Sequence, residues 1–468
     1  MKMKKIFLII TAAIGFISCE TEYLPKDQLA AATVYTNLKD LQDGMNGVMA
    51  NYNPYPEITF NSIFTDECKI GKDSGGQQVT LYNMQVTAAV NGNDIWVANY
   101  RTINFANKII DAAAGIPAIT PAEVAQKNNI LAQCYALRAH CHLNLLSHYG
   151  TTMEDPSALG VIYLDFVPAA TAELPRNTVG ECFAKMTEDL NTAQALFTGA
   201  SNKIFMNKEA ITFMRAKIAL FSGDNAGAIT HADALISQFG LASTAEYVNM
   251  FADAGAGFDK EVIFKAERKG NNAFVGGIWY FTGTGGAFME MSNSMYDSFQ
   301  TGDVRPSVLM WGAESDPADN LHLIGKYLGS EGFPYMNDIK VMRISEMHLV
   351  KAEAQAKLSQ FTAASATMQN YVNARYAAGT APIKNYTNLQ NAIIDILEER
   401  KLELGFEGHR YVDIKRLRAI SNLGIERSSL DCGGAAPCEL APSDDRFTMP
   451  IPLAEMNANR NMVQNPGY

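Results

Sequence analysis

Residues 393–419 read IIDILEERKLELGFEGHRYVDIKRLRA, and the prediction of the fold starts from this stretch. Its first part predicts a helix, because apolar residues from Leu389 to Leu404 recur at spacings that keep them near one stripe. Its second part alternates charges of opposite sign, with apolar anchors among them. The charged residues are Glu399, Arg400, Glu403, Glu407, Arg410, Asp413 and Arg416. The anchors are Phe406, Tyr411, Ile414 and Leu417.

Two structures are consistent with this alternation of charges. Charges this close to apolar anchors can be buried only if each one is paired. A solvated, charged helix has the same local pattern. Catalytic carboxylates are disfavoured, because an arginine beside every acid would hold that acid ionised.

The composition bounds the class of protein. The chain has 468 residues, of which 47% are hydrophobic, and this is enough for a sizeable core. Its net charge is −11, and no run of Lys and Arg follows residue 5. A chain that binds a polyanion needs a local basic stretch to overcome such a charge. We therefore expect no nucleic-acid partner.

The N-terminus has the pattern of an export signal. A basic start at residues 2–5 precedes an apolar segment, residues 6–17, that is too short to span a bilayer as a helix. The sequence Phe-Ile-Ser-Cys that ends at Cys19 resembles a bacterial lipobox, although its Phe and Ile replace the usual Leu and small residue. We expect residues 1–18 to be a lipoprotein signal peptide, Cys19 to be lipidated and residues 19–33 to be a tether.

Six further cysteines would lie in an oxidising compartment. Cys134 and Cys141 are two helical turns apart, ~10 Å, beyond disulfide reach. We interpret them as core residues. Cys432 and Cys438 flank a Gly-Gly-containing loop that is flexible enough to close, and they are the predicted disulfide. The pattern leaves Cys68 and Cys182 undetermined.

Helical periodicity divides residues 34–468, which we expect to form a single domain. Helices are predicted at residues 38–52, 94–114, 121–147, 177–197, 208–221, 226–239, 343–358 and 362–376. Small residues flanking Gly223-Asp224 resemble a tetratricopeptide helix–turn–helix. The predicted fold is mainly α, with a tetratricopeptide-like scaffold at residues 34–239 and 341–420. A loop-rich insertion is predicted at residues 240–340 and an irregular segment at residues 421–468.

The predicted ligand site lies where two polar, loop-like regions meet, residues 53–100 and the insertion. Tryptophan and tyrosine in Gly- and Asn-rich loops suit stacking on sugar faces or gripping peptide side chains. The alternative is that these rings are core. The candidate ligand residues are Asp66, Tyr82, Trp96, Asn99, Trp279, Tyr280 and Trp311.

No catalytic or cofactor motif stands out. The chain has no GxSxG, HExxH, CxxC or GxxxxGK[ST] sequence. His140 and His142 lie on one predicted helix but point about 200° apart, which disfavours a metal pair and favours structural roles. Asp66 and Glu67 could form a hidden carboxylate pair, but adjacent residues seldom point the same way. We therefore expect a protein that is not an enzyme and has no cofactor and no metal.

The combination R-x-x-E-L-x-F-E-G-x-R-x-x-D-x-x-R, from Arg400 to Arg416, resembles the signature of the SusD/RagB family of surface nutrient-binding lipoproteins. Other segments resemble motifs of the same family. They are W-x-x-x-Y-x-x-I-x-x-x-N from Trp96, LRA from Leu137, R-x-x-E from Arg343 and the terminal PIP…E…QNPGY from Pro450.

This resemblance implies a mostly helical outer-membrane lipoprotein, displayed on the cell surface, whose signature charges are structural. It implies a SusC-like TonB-dependent transporter as partner and a glycan as ligand. Glu20 and Glu22, which follow Cys19, resemble the signal for surface display. Two alternatives remain at this point: a RagB-like member that captures peptides, and a tetratricopeptide adaptor lipoprotein of the envelope.

Overall fold

The computed structural model describes residues 34–269, 274–281, 286–330, 332–433 and 436–468. The predicted signal peptide, Cys19 and the tether lie outside the described residues. The helices are Leu38–Asn51 (α1), Tyr55–Phe64 (α2), Val79–Tyr82 (α3), Asp94–Ala114 (α4), Pro121–Tyr149 (α5), Val179–Leu196 (α6), Lys208–Phe221 (α7), Asn225–Ile236 (α8), Thr244–Ala252 (α9), Asn293–Asp297 (α10), Pro306–Leu309 (α11), Ile344–Lys357 (α12), Phe361–Asn373 (α13), Leu389–Glu403 (α14), Arg410–Ser421 (α15) and Leu453–Ala458 (α16).

Short strands lie in the segments between the helices. They are Cys68–Ile70 (β1), Val262–Ala266 (β2), Met289–Met291 (β3), Gly329–Ser330 (β4), Phe333–Pro334 (β5), Ile339–Arg343 (β6), Ile425–Glu426 (β7) and Glu439–Leu440 (β8). They pair two by two and antiparallel, as β1–β3, β2–β6, β4–β5 and β7–β8.

The helices pack as successive antiparallel neighbours, which confirms the mainly α fold. α4 packs on α5 and α5 on α6, while α7 pairs with α8, and α12 contacts α8, α13 and α14. The turn between α7 and α8 shows why neighbours can pack so closely. Gly223 has a φ of +87°, which glycine adopts without strain. Asp224 then caps α8 by accepting a hydrogen bond from the Gly227 amide at 2.9 Å.

One predicted loop is partly helical. Residues 53–93 lack a sustained period, yet α2 occupies Tyr55–Phe64 within them. Most side chains of α2 are buried, including the polar Glu57, Asn61 and Ser62. A helix that is covered on nearly all sides has no polar face, so it leaves no amphipathic signal. The prediction of an irregular segment is wrong for α2 for this reason.

The insertion is attached to the scaffold by strand pairing. β2 pairs with β6, and β6 leads directly into α12. Near its start the insertion also contains α9, which the sequence pattern does not predict.

The charges of residues 399–416 form a buried network. Glu403 accepts hydrogen bonds from Arg343 at 2.7 Å and from Arg375 at 2.8 Å. Glu407 is paired with Arg343 at 2.8 Å and with Lys326. The remaining pairs are Arg400–Asp413, Arg400–Glu346, Arg410–Asp66, Arg416–Glu353, Arg416–Asp413 and Glu399–Arg305. These side chains are at most 6% exposed, so the interpretation as a solvated helix is wrong.

The cysteines divide into one bonded pair and four buried thiols among the described residues. Cys432 and Cys438 are joined by a disulfide, with Cα atoms 5.2 Å apart. Cys68, Cys134, Cys141 and Cys182 are free and buried. Within the described residues, no helix has the length and the apolar character needed to cross a membrane.

Candidate functional site

The two regions predicted to form the ligand site, residues 53–100 and the insertion, are joined by the short sheet of β1 and β3. β1 pairs with β3 so that Lys69 stands opposite Glu290. The Lys69 Nζ lies 3.7 Å from Glu290 Oε2, and the Lys72 amide donates to Glu290 Oε1 at 2.8 Å. This sheet brings residues 68–72 against the insertion.

A hairpin of the insertion forms a polar turn beside this sheet. Asp316 bridges to Leu321, so residues 317–320 form its tip. Asn320 has a φ of 58°, a left-handed conformation that asparagine tolerates better than most residues. The Lys69 ammonium donates to the Asn320 carbonyl at 2.5 Å and to its Oδ1 at 2.7 Å, and thereby ties the turn to β1.

The disulfide loop supplies the third wall through Asp431. One oxygen of the Asp431 carboxylate accepts a hydrogen bond from the Asn293 amide at 2.9 Å, and the other accepts from the Asn293 side chain. The Asp431 carbonyl accepts from the phenol of Tyr82. Asp431 directly precedes the bonded Cys432, so its position is fixed from both sides.

These three walls enclose a groove of about 410 Å³. The residues that line the groove are Lys69, Ile70, Lys72, Glu290, Asp316, Asp319, Asn320, Leu321, Leu430 and Asp431. Four of them carry carboxylates and two carry ammonium groups. Burial lowers the pKa of Lys69, although Glu290 opposes the shift. Burial also raises the pKa of Asp431, against the hydrogen bonds from Asn293.

The groove suits a ligand rich in hydroxyl groups. Its carboxylates accept hydrogen bonds and its ammonium groups donate them, while the amide of Asn320 does both. A hydroxyl group can donate a hydrogen bond to a carboxylate and accept one from an ammonium group. The exposed Leu430, 70% accessible, adds an apolar edge beside these polar groups.

Among the predicted rings, Trp311 lies nearest to solvent. Its amide donates to the Leu323 carbonyl at 2.8 Å, which places it on the hairpin that carries the groove's polar turn. The side chain is half-buried, with its ring edge-on to Tyr280 at 5.9 Å between centroids.

Trp279 and Tyr280 are core residues. Trp279 has no exposed surface and packs edge-on against Phe406 of the signature stretch, at 5.4 Å. Tyr280 is 1% exposed, stacks on Tyr335 and donates its hydroxyl to the Ile324 carbonyl. A ring covered on both faces has no surface for a sugar, so the prediction of stacking by these two residues is corrected.

Trp96 and Asn99 are also buried, on α4. The Trp96 ring lies 4.7 Å from Tyr100 and 5.0 Å from Tyr149. Asn99 donates to Glu57 Oε1 at 2.7 Å. Both side chains therefore bind α4 to its neighbours, and the expectation that they contact a ligand is corrected.

Asp66 and Tyr82 lie beneath the groove and not in it. Asp66 accepts two hydrogen bonds from Arg410, at 2.8 and 2.7 Å. Burial opposes the ionisation of Asp66, but the charge and hydrogen bonds of Arg410, together with the charge of Lys401, outweigh it and lower the pKa to about 2. The Tyr82 ring lies 3.9 Å from the Arg427 guanidinium. Neither lines the groove; Tyr82 supports it through its hydrogen bond to the Asp431 carbonyl, whereas Asp66 belongs to the buried charge network, so the expectation that they contact a ligand is corrected.

None of the seven predicted ligand residues, all of which lie in the described part of the chain, is among those that line the groove. The exposed Asp316, Asp319 and Asn320 fall in a DPADN segment, a polar turn within an aromatic insertion that could have been noticed. Lys69, Glu290 and Asp431 carry no such signal, because each belongs to a different part of the chain.

A second, internal cavity of about 70 Å³ lies between α2, α5 and the signature stretch. Glu57, His140, His148 and Lys217 are among its lining residues. Burial, partly opposed by the Asn99 hydrogen bond, raises the pKa of Glu57 to about 7. The cavity has room for several waters but not for a sugar ring.

The histidines predicted to be structural have protein partners. His140 Nε2 shares a hydrogen bond with the Tyr52 hydroxyl at 2.8 Å, and His142 Nε2 accepts from the Leu164 amide at 3.0 Å. Among the described residues, no group of three or more His, Cys, Asp or Glu is placed to hold a metal ion.

The sequence of the chain is similar to known protein families. A family model described as the SusD family matches residues 333–468. A second model, described as starch-binding and associating with the outer membrane, matches residues 22–220. A SusD-like protein P2 of Formosa agariphila is 24% identical over 532 aligned residues, with 100% of both chains covered.

Solved structures share the fold. A putative sugar-binding protein of Bacteroides vulgatus has a TM-score of 0.78 at 24% identity, covering 93% of this chain and 99% of its own. A SusD superfamily protein of Bacteroides thetaiotaomicron has a TM-score of 0.79 at 22% identity, covering 92% of this chain and all of its own. The surface glycan-binding protein A of Bacteroides fluxus has a TM-score of 0.72 at 18% identity, covering 92% and 99%.

Proposed function

The chain belongs to the SusD-like family, and from this membership we propose that it captures an oligosaccharide at the outer membrane and delivers it to a SusC-like TonB-dependent transporter. The observation that carries the proposal is the groove between β1, β3, the 317–320 turn and Asp431.

The chemistry of the groove supports a saccharide over a strongly charged ligand. Its charges have both signs, and three of the six charged side chains that the structure describes there, Lys69, Glu290 and Asp431, already have partners in other segments of the chain. Lys69 is held by Asn320 and Glu290, and Asp431 is held by Asn293. Carboxylates with such partners remain good acceptors for a hydroxyl, because each oxygen has more than one lone pair.

We place the protein at the cell surface, anchored by a lipid on Cys19. The description of the family model that matches residues 22–220, associating with the outer membrane, supports this location. The transporter partner follows from the resemblance of the signature stretch to SusD/RagB proteins.

We propose binding without catalysis at the groove. A glycoside hydrolase needs a carboxylic acid with a raised pKa that can reach the leaving oxygen, beside a second carboxylate that is free to act. In the groove the pKa of Asp431 is raised, but both of its oxygens accept hydrogen bonds from Asn293. Glu290 likewise accepts from the Lys72 amide.

Calorimetric titration of the mature protein made with Cys19→Ala, against panels of oligosaccharides and peptides, tests the proposal. An oligosaccharide should bind, and Asn320→Ala and Asp319→Asn should each weaken it by about 1 kcal/mol, the net value of one hydrogen bond. Trp311 lies on the same hairpin as Asn320 but outside the lining of the groove, so Trp311→Ala tests whether the site extends to this ring; a loss of about 2 kcal/mol would show that it does.

Asp111→Asn is the matched control, since this carboxylate is exposed on α4 and lies outside the groove. Binding of peptides alone would support the RagB-like alternative and contradict a glycan ligand. Equal affinities of the wild type, Asn320→Ala and Asp319→Asn would place the ligand elsewhere.

A further inference from the structure

A second surface concavity, of about 170 Å³, lies between the end of α5, the end of α12 and α15. It shares no lining residue with the groove. We call it the basic pocket and define it by its polar residues, which apart from the exposed Glu154 at its rim are Thr151, Thr152, Lys357, Lys415, Arg416 and Arg418.

Two of its four cations are neutralised by carboxylates. Arg416 lies 2.7 Å from Glu353 and 2.9 Å from Asp413. The Lys357 ammonium lies 3.3 Å from Glu353 and 3.1 Å from Glu154, whose side chain is 60% exposed. Glu353 is thus shared between two cations.

The other two cations have no carboxylate oxygen within 4.0 Å in the described part of the chain. The Lys415 ammonium donates to the carbonyls of Ser147, His148 and Gly150, at 3.0, 3.2 and 2.6 Å. The Arg418 guanidinium lies 4.7 Å from the Phe447 ring. Burial lowers the pKa of both residues, because desolvation disfavours the charged form. The imbalance of charge comes from the residues themselves: among the described residues, four cationic side chains face three carboxylates, those of Glu154, Glu353 and Asp413.

Guanidinium donors at the pocket also lack an acceptor in the described part of the chain. Within the described residues, Arg418 Nη1 and Arg416 Nε are buried and have no hydrogen-bond partner. The Arg416 side chain is only 4% exposed. Thr151 and Thr152 line the same pocket, and the exposed hydroxyl of Thr152 is free to exchange water for a ligand. A buried donor without an acceptor destabilises a protein by about 1–3 kcal/mol, so unmet donors beside an open pocket point to a ligand.

We propose that the basic pocket binds a tetrahedral oxyanion such as sulfate, either free or as the sulfate ester of a saccharide. The donors come from the loop after α5 and from two positions of α15, Arg416 and Arg418, so they approach from several directions. A tetrahedral anion offers oxygens in several directions, whereas a carboxylate offers them in one plane. The anion would place its charge beside Lys415 and Arg418 and accept from the unmet guanidinium groups and the exposed Thr152 hydroxyl.

Thermal unfolding of the Cys19→Ala protein in sodium sulfate, with sodium chloride holding the ionic strength constant, tests the proposal. Sulfate stabilises most proteins gradually and without saturation, because it is excluded from their surface. A site adds a saturable rise in Tm at low sulfate concentration. We expect this saturable rise in the wild-type protein.

Arg418→Met should raise the half-saturating sulfate concentration about tenfold or more, the loss expected for a charge-assisted hydrogen bond. Arg418→Lys, which keeps the charge, should restore part of the affinity. Thr152→Val tests the same site at an exposed position, where the change leaves the core intact. It should also raise the half-saturating sulfate concentration. Arg460→Met is the control, because Arg460 is exposed and remote from the pocket.

Titration with methyl sulfate and with glucose 6-sulfate assigns the source of the anion. Binding of inorganic sulfate alone indicates a free anion, and binding of the esters as well indicates a sulfated saccharide. A wild-type Tm that rises without saturation, or a half-saturating concentration that neither Arg418→Met nor Thr152→Val changes, would overturn the proposal.

Discussion

At the scale of single residues, Arg410 and Asp66 show what the signature charges do. Arg410 donates to both oxygens of Asp66 and to the Leu397 carbonyl at 3.0 Å, and all of this lies out of contact with water. Arg410→Ala would leave Asp66 buried with the more distant Lys401, 3.9 Å away, as its only ion-pair partner among the described residues. We expect the free energy of unfolding to fall by about 3 kcal/mol or more, measured by urea denaturation.

The double variant Asp66→Asn/Arg410→Met separates pairing from packing. It removes both charges, so it should be more stable than Arg410→Ala alone. Arg101→Ala, an exposed arginine on α4, should change the stability by less than about 0.5 kcal/mol. Unchanged stability of Arg410→Ala would mean that the site is wetter than its burial indicates.

Glu57 should make the stability of the protein depend on pH. Burial raises its pKa from 4.5 to about 7, so the folded protein holds this proton more tightly than the unfolded chain. The contribution to stability is present below pH 4.5 and is lost as the pH rises through about 7. His140 and His148, with pKa values of about 3 and 4, stay neutral over this range.

Glu57→Gln removes this dependence and can still accept the hydrogen bond from Asn99. We expect the variant and the wild type to have similar Tm values at pH 5. At pH 8 the variant should be more stable, by on the order of 3 kcal/mol. Glu67, whose pKa burial also raises to about 7, contributes equally in both proteins. Equal Tm values at pH 8 would show that Glu57 ionises without cost.

At the scale of elements, the disulfide loop between β7 and β8 connects stability to the groove. The bridge closes a loop with a sequence separation of 6, so the chain-entropy contribution is only about 2 kcal/mol. Cys432→Ser/Cys438→Ser should lower the free energy of unfolding by that amount. The double variant should also bind the ligand of the groove less tightly, because the disulfide no longer holds the residue next to Asp431. Peptide mapping of the unreduced protein should find both cysteines in one linked fragment.

The sequence predicts well those helices whose own residues show an apolar period and end at recognisable turn residues. The helices at Asp94–Ala114 and Lys208–Phe221 end where the apolar period and the turn residues say they should. α2 was missed because nearly all of its side chains are buried. The groove was missed because it depends on residues that are distant in sequence: Lys72 and Glu290, which are hydrogen-bonded there, are 218 residues apart. Trp279 lies in a loop, as predicted, but the sequence does not show that Phe406 covers its ring and keeps it from a ligand.

At the scale of the whole molecule, the N-terminal cysteine decides where the protein resides. We expect fatty-acid labelling of the wild type and its recovery in the outer-membrane fraction. Cys19→Ala should abolish labelling and release the protein from that fraction. Cys68→Ala is the matched control, because that cysteine is buried in the domain and should have no effect on labelling. Persistent labelling of Cys19→Ala would contradict the assignment.

The pairing of Asp66 with Arg410 also constrains the order of events when the chain is made. The two residues are 344 positions apart, so the ribosome releases Asp66 long before its partner exists. At about 5–20 residues per second, the delay is on the order of tens of seconds. During this interval the N-terminal helices cannot close around Asp66 without burying an uncompensated charge. The native pairing of Asp66 therefore cannot form until the last quarter of the chain is available, so an exported chain would complete this part of its fold only after nearly all of it has crossed the membrane.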